Sequence, residues 1–280
     1  MATADVDPFT LFALQVLRTE RLGPSLVRVT FGGAGLRGFH SDGRDQSLSL
    51  FLPHPGQREP VVPRDLGDEW WQRWRELPAD VRAVMRSYTL RKLRRAPDEI
   101  DIDFALHGIG PAATPAGPAS RWAARAVPGD RVLVLGPVLA DNRAIRFRPP
   151  ADTDLVVMWG DETAVPAATA ILESLPASTR VRAWLQVPYA GDVQDVRTDA
   201  DVDLTWLVRD EDAPEPLAAV RDARLPGAAI PYVWIAGESG HVKALRRHFV
   251  RERGIDRRRV TFVGYWRRGL SEEQLRAAGE

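Results

Sequence analysis

Cysteine is missing from all 280 residues. Its absence excludes disulfides, thiolate-held iron–sulfur clusters, a thiol nucleophile and zinc sites of the cysteine type. Any redox chemistry must therefore come from an organic cofactor or from the substrate. An excess of one charge sign is missing too. Lys plus Arg and Asp plus Glu each number 38, so nucleic acid is not expected as a bulk partner, while a local basic pocket remains compatible with the balance. No uncharged apolar run reaches the roughly 18 residues of a membrane span, and the acidic start MATADVDPFT does not read as a signal peptide. The expectation is a cytoplasmic protein without stable membrane insertion. His40, His54, His107, His241 and His248 show no metal-ligand spacing supported by a carboxylate, so no protein-bound metal is predicted. No serine sits in a G-x-S-x-G elbow, which leaves hydrolase chemistry unsupported. What is present is ordinary for a globular chain, 44% apolar and 27% charged. The length exceeds a typical single core and predicts two domains, residues 1–149 and 150–280.

The two halves have different rhythms. In the first, short strand-like runs fall at Leu11–Leu17, Leu26–Phe31, Leu48–Leu52, Ser87–Leu93, Ile100–Leu106 and Arg131–Leu135, which suggests a closed antiparallel barrel. Two helices interrupt it. DEWWQRWREL, Asp68–Leu77, spaces Trp70, Trp71 and Trp74 at i, i+1, i+4, and a second helix follows Pro118 with Trp122, Ala123 and Ala126 on one face. After Pro149-Pro150, strands at Asp154–Trp159, Val181–Val187, Val202–Val208, Tyr232–Ala236 and Val260–Tyr265 alternate with helical patterns, among them Ser239–Arg253. That alternation predicts a parallel sheet with helices on its faces, whose ligands sit beyond the carboxyl ends of the strands.

Five segments carry candidate chemistry. MRSYTLR, Met85–Arg91, offers what a flavin requires: Tyr88 to stack, the hydroxyl and amide of Thr89, and the guanidinium groups of Arg86 and Arg91 for phosphate oxygens. Strand alternation would put Arg86 and Tyr88 on one face, Thr89 and Arg91 on the other. Taken alone, the segment also fits a half-exposed strand of β-favouring residues. GPASRWAARAVPGD, Gly117–Asp130, reads as a turn and a helix start capped by Ser120, either an anion site or an ordinary connection. WGDETAVPA, Trp159–Ala167, is the first strand-to-helix crossing of the sheet, where a nicotinamide dinucleotide would lie, although G-x-G-x-x-G is absent and two acids would repel a pyrophosphate. WIAGESGHVKALRRHF repeats that design, with Lys243, Arg246 and Arg247 read as a solvated face. GYWRRG, Gly264–Gly269, supplies Tyr265 and Trp266 as rings and Arg267 and Arg268 as cations, or is a terminal strand with packed aromatics.

Read in order, MRSYTLR, DIDFALHG, GPASRWAARAVPGDRV, GDETAVPA, YVWIAGESG and GYWRRG resemble the siderophore-interacting protein family of FAD-dependent ferric-siderophore reductases, over about residues 10 to 270. The resemblance implies an N-terminal antiparallel Greek-key β-barrel for FAD and a C-terminal α/β parallel-sheet domain for NADPH or NADH, in a ferredoxin reductase-like arrangement. It implies that Arg86, Tyr88, Thr89 and Arg91 hold the isoalloxazine and phosphate chain, with Tyr88 and Thr89 orienting the ring for catalysis. His107 would lie near the flavin. Gly117, Pro118, Ala119 and Ser120 would give amides to the pyrophosphate, and Trp266 would help close over the FAD. Gly160, Asp161, Glu162, Thr163 and Ala164, with Gly237 and Glu238, would form the nucleotide site. The substrate would be an anionic ferric siderophore, reduced for iron acquisition by a monomer or weak dimer. Three places depart from the pattern: Ser49 stands where a lysine is expected, which shifts the docking charge to Arg121 and Arg267, GPVLADNRAIRFRPP replaces a glycine-rich continuation after Gly136-Pro137, and Gln186 stands where an acid is usual. Arg209 is a candidate for an NADP 2′-phosphate or a solvated loop charge. An NAD(P)H-flavin reductase with a quinone, ferredoxin or oxygen as acceptor, or a non-catalytic siderophore-binding protein, remains open.

Overall fold

The structure, a computed structural model, describes residues 7–63, 67, 69–108, 116–225, 230–270 and 274. It divides into two compact units, Met1–Arg21 with Val27–Ile145, and Leu22–Leu26 with Arg146–Glu280. The long stretch of the second unit begins at Arg146, and the turn at Gly23-Pro24 belongs to it. Its anchor is Ser25, whose backbone N–H and hydroxyl both donate to the buried Asp192 carboxylate at 2.8 Å.

The first unit is built on a seven-stranded sheet: β1 (Phe9–Arg21), β2 (Leu26–Gly32), β3 (Ser47–Leu52), β4 (Val84–Thr89), β5 (Lys92–Arg95), β6 (Asp98–Ala105) and β7 (Arg131–Pro137). Their order, β4-β3-β7-β1-β2-β6-β5, places β7 between β1 and β3, both far from it in sequence, and the β1–β2, β1–β7, β3–β4, β3–β7 and β5–β6 ladders are antiparallel. Beyond the end of β4 the Arg91 N–H donates to Asp101 O of β6 at 2.9 Å. The Tyr88 ring lies 4.4 Å from that of Phe104. Those two contacts bring β4 against β6, so the sheet is curled into a half-barrel. Period-two alternation fills it: Phe12, Leu14 and Val16 of β1 meet Val27 and Val29 of β2, Leu48 and Leu50 of β3, and Ile100, Ile102 and Phe104 of β6. A smaller cluster lies on the other face. There the helix α1 (Trp70–Glu76) lays Trp70 and Trp74, one turn apart, onto Phe51, Ala83 and Met85. Trp71 is 39% exposed and stacks on Trp74 instead of joining the cluster. The expected start of this helix at Asp68 lies outside the described residues.

The expected strand Ser87–Leu93 is divided. β4 stops at Thr89, and β5 begins at Lys92. In between, the N–H groups of Leu90 and Arg91 turn to different partners, Gln46 O and Asp101 O. The helix α2 (Pro118–Ala123) follows β6 and buries Trp122 against Phe104 and Phe31.

The second unit is a five-stranded parallel sheet of β8 (Leu155–Gly160), β9 (Arg180–Val187), β10 (Asp201–Val208), β11 (Pro231–Glu238) and β12 (Val260–Trp266). Helices α3 (Val165–Ser174), α4 (Pro216–Asp222) and α5 (Ser239–Arg247) connect them. Both faces of the central strands are buried, as the unbroken apolar run Leu155–Trp159 requires. Val156 and Met158 pack with Ile171 and Leu172 of α3, while Val157 and Trp159 pack with Val242 and Leu245 of α5. The strand order β10-β9-β8-β11-β12 means that the chain leaves β8 in one direction and returns to β11 on its other side. The topological switch point therefore lies between the carboxyl ends of β8 and β11, where sheets of this kind leave a crevice for ligands. α5 is shorter than the expected Ser239–Arg253 because a π turn, His248–Glu252, follows it before Gly254 ends the segment at φ 69°. Among the described residues no helix is long and apolar enough to cross a membrane.

Candidate functional site

The end of β4 carries the first group of site residues. The register Leu48↔Tyr88 and Leu50↔Arg86 puts Tyr88 and Arg86 on one face, and Ser47↔Thr89 puts Thr89 on the other. Tyr88 rests one side on Phe104, which fixes the ring. Arg86 donates to Met85 O at 2.7 Å. Thr89 is buried, 7% exposed. Arg91 corrects the alternation expected of it. It lies beyond the strand, with its side chain 10% exposed and Nε 3.8 Å from the Asp103 carboxylate, which Arg28 also holds at 2.7 and 2.8 Å. Part of its positive charge is therefore spent on the acidic row of β6.

Ser120 also differs from its expected role. The N-cap of α2 is Gly117, with no side-chain cap, and Ser120 sits one turn in. Its hydroxyl accepts from the His107 N–H at 3.2 Å and donates to Ala105 O at 3.3 Å, so it ties the end of β6 to the helix. In the first turn of α2 the N–H groups of Ala119 and Ser120 are capped by no described side chain, and Pro118 carries no N–H to cap. A Cβ built on Gly117 would meet no described atom within 4 Å. His107 is exposed beside them, and Arg121 is exposed with Nη1 turned back to Ala116 O. Arginine, threonine, tyrosine and open amides form a donor set that fits a planar, phosphate-bearing flavin.

The second group surrounds the switch point of the parallel sheet. Asp161, 1% exposed, follows β8 directly. Its Oδ1 accepts from the Thr163 N–H at 3.0 Å and the Thr163 hydroxyl at 2.5 Å. Its Oδ2 accepts from the Glu238 N–H at 2.7 Å and from Trp266 Nε1–H at 2.8 Å. One carboxylate thus joins the carboxyl ends of β8, β11 and β12. Gly237, at φ 140°, is required on two counts: a Cβ there would lie 2.5 Å from the Asp161 carboxyl, and the backbone conformation is one that L side chains rarely adopt. Trp266 is tethered again through its carbonyl, which accepts from Ser239 Oγ at 3.0 Å. A Cβ on Gly264 would fall 2.5 Å from that same hydroxyl.

The acids that would repel a pyrophosphate are each engaged. Glu162, 2% exposed, is held bidentately by Arg209 at 2.7 and 2.9 Å. Glu238 caps α5, accepting from the Gly240 and His241 N–H groups at 2.6 and 3.0 Å. Burial pushes the Glu238 carboxyl up, but the amides of His241, Arg268 and Gly240 outweigh it and hold the group below its usual range. Burial, joined by the neighbouring Glu162 charge, raises Asp161 to about 6 against its four donors. Gly160 and Ala164 complete the turn, with the Ala164 N–H donating to Asp161 O at 2.8 Å. Arg267 is exposed, and Tyr265 packs toward the core, leaving Trp266 as the half-buried ring at the rim.

Ser239 and Gly264 were not singled out as site residues by the sequence reading. The signal for them was weak: only the repeat of strand, glycine, acid and small residue after β8 and β11 hinted at a paired construction. Ser49 pairs with Ser87 and Leu135, on the face shared with Phe51 and Met85. Gln186 is buried at the end of β9.

Comparison with known proteins matches each half of the chain. Residues 15–141 match the siderophore-interacting FAD-binding domain, and residues 153–269 match the siderophore-interacting protein domain. The chain is 33% identical over 264 residues to the ferric vibriobactin reductase ViuB of Vibrio cholerae, covering 93% of this chain and 90% of that protein. It is 34% identical over 263 residues to the NADPH-dependent ferric-chelate reductase of Escherichia coli, covering 90% and 91%. The crystal structure of the siderophore-interacting protein SipS from Aeromonas hydrophila superimposes with a TM-score of 0.75 at 34% identity, covering 96% of each chain. The barrel and the parallel sheet form a ferredoxin reductase-like pair of domains. The chain belongs to the siderophore-interacting protein family.

Proposed function

We propose that this protein is an FAD-dependent reductase that takes electrons from NADPH or NADH and delivers them to ferric siderophores, acting in the cytoplasm as a monomer or weak dimer. The observation that carries the reading is that similarity to two ferric reductases spans both domains and about nine-tenths of each relative. Bound FAD supplies a centre that accepts a hydride and returns electrons singly. The residues of the chain do the rest. Tyr88, braced by Phe104, offers a ring wall, and Thr89 offers a hydroxyl and an amide at the ring edge. Arg86 supplies charge for the phosphate chain, with Arg91 contributing less because Asp103 shares it. The N–H groups of Gly117, Ala119 and Ser120 face the pyrophosphate, and His107 lies near the flavin.

The rim formed by Gly160–Ala164 and Gly237-Glu238 receives the nicotinamide nucleotide. Because Asp161, Glu162 and Glu238 are all engaged, the rim presents less negative charge than its sequence suggests. Arg209 is the cation nearest in kind to a 2′-phosphate ligand, but its bidentate hold on Glu162 limits it to a secondary role. Arg121 and Arg267, exposed in their respective units, attract the anionic chelate in place of the missing lysine at Ser49. Hard oxygen ligands favour Fe(III), so reduction loosens the chelate and iron leaves as Fe(II). The test is anaerobic titration of the FAD-loaded protein: NADPH or NADH bleaches the flavin, and a ferric siderophore then restores its colour. Bleaching without recovery on any ferric siderophore would favour another acceptor.

A further inference from the structure

We propose that Asp161 is a positioning residue of the nicotinamide-nucleotide site: it holds Trp266 and the turns after β8 and β11 as one rigid rim. The proposal deepens the reductase reading and rests on it. Four donors from three separate strand ends converge on this one carboxylate, 2.5 to 3.0 Å away. Nothing in the local fold of β8 requires an acid there. The turn itself is closed by backbone bonds, the N–H groups of Ala164 and Val165 donating to Asp161 O at 2.8 and 3.0 Å. The side chain therefore acts across the switch point. It bridges from β8 to the adjacent β11, and past β11 to the indole at the end of β12, where no strand pairing between β8 and β12 exists to fix the register.

The surrounding residues serve the same arrangement. Gly237 leaves the volume that the carboxyl occupies, and Gly264 leaves the volume for Ser239, the second tether of Trp266. The Glu238 N–H donates to Asp161 while the Glu238 carboxylate caps α5, so the cap and the indole are set by one group. A nucleotide entering the crevice between β8 and β11 meets a rim whose aromatic wall is already in place. Without the carboxylate, Trp266 would lose the bond that holds its indole, and the ordering would have to be supplied on binding.

The test uses Asp161→Asn, Asp161→Ala and Trp266→Phe in the full chain, with thermal unfolding to confirm folding. Asn keeps one oxygen for Glu238 N–H and Trp266 Nε1–H and donates its amide to the Thr163 hydroxyl, losing only the bond from the Thr163 N–H, so it should rescue the hold on the indole; Ala cannot. In the protein without flavin, the ¹⁵N–¹H signal of the Trp266 indole, assigned by its loss in Trp266→Phe, should shift clearly in Asp161→Ala and little in Asp161→Asn. In the FAD-loaded protein, Asp161→Ala should raise the KM for the nucleotide about tenfold, the size of one charge-assisted hydrogen bond, with kcat changed by less than about threefold. Trp266→Phe should raise KM in the same direction, which keeps the proposal testable if the Ala variant does not fold. An unmoved indole signal, or a KM unchanged in both variants, would overturn it. Failure of native protein to be reduced by either nucleotide would instead overturn the reductase reading, and that is seen before any variant is made.

Discussion

At position 237 the backbone sits at φ 140°, and the space where a side chain would begin is filled by the Asp161 carboxyl. Gly237→Ala should therefore cost about 2–4 kcal/mol, combining strain in a sparsely populated conformation with displacement of a buried hydrogen-bonded group. Chemical denaturation would register it as a lowered midpoint with an unchanged slope, and an unshifted midpoint would contradict the placement of Asp161. Asp161 itself sets a pH dependence. Its carboxyl is raised to about 6, first by burial and then by Glu162, which Arg209 offsets only in part. A group raised in the folded state contributes stability that is complete below its unfolded value near 4 and is lost as pH rises through 6. Unfolding of native protein compared with Asp161→Asn between pH 4 and 7 should show that decline only when the acid is present. Little of this was readable beforehand. GDET announced two acids at a strand end, but their neutralisation depends on Trp266 and Arg209, 105 and 47 positions away.

β6 shows how much one element can declare in its own sequence. In DEIDIDFA the apolar residues Ile100, Ile102 and Phe104 alternate with Glu99, Asp101 and Asp103, so a barrel strand with an acidic outer row follows from period two alone. Its partners do not. Arg18 of β1 and Arg94 of β5 hold Glu99, Arg94 and Thr30 hold Asp101, and Arg28 of β2 holds Asp103. The Arg18 guanidinium keeps Glu99 below its usual range, and Asp101 is lowered too, burial being outweighed by Arg94 and Thr30. Both groups stabilise the barrel above their unfolded values near 4 and lose that contribution as pH falls below them. Arg94→Ala should cost about 1–3 kcal/mol, less than a fully buried pair because the Arg94 side chain keeps 29% exposure. It should also flatten the acid limb of the stability curve below pH 4; a variant with native acid sensitivity would contradict the pairing. The neighbouring segment MRSYTLR was misread in one respect for a related reason. Alternation carried through Arg91 on paper, whereas long-range bonds to Gln46 and Asp101 end β4 at Thr89.

For the molecule as a whole, the change of rhythm near residue 150 was enough to separate an antiparallel barrel from a parallel sheet, because each strand type imposes its own burial pattern. The transfer of Leu22–Leu26 to the second unit was not legible, since it depends on Ser25 meeting Asp192 across 167 positions. The switch point was legible only as a consequence: five strands were visible, but their order β10-β9-β8-β11-β12, which brings Gly160 beside Ala236, emerges from packing. On that frame the central claim is that electrons pass from a nicotinamide nucleotide through FAD to chelated iron. The most direct measurement is anaerobic capture of Fe(II) by a chromogenic chelator from ferric siderophores incubated with FAD-loaded protein and NADPH or NADH. Fe(II) should accumulate well above a control with the same concentration of free FAD. Accumulation no faster than that control, across catecholate and hydroxamate siderophores and both nucleotides, would contradict it.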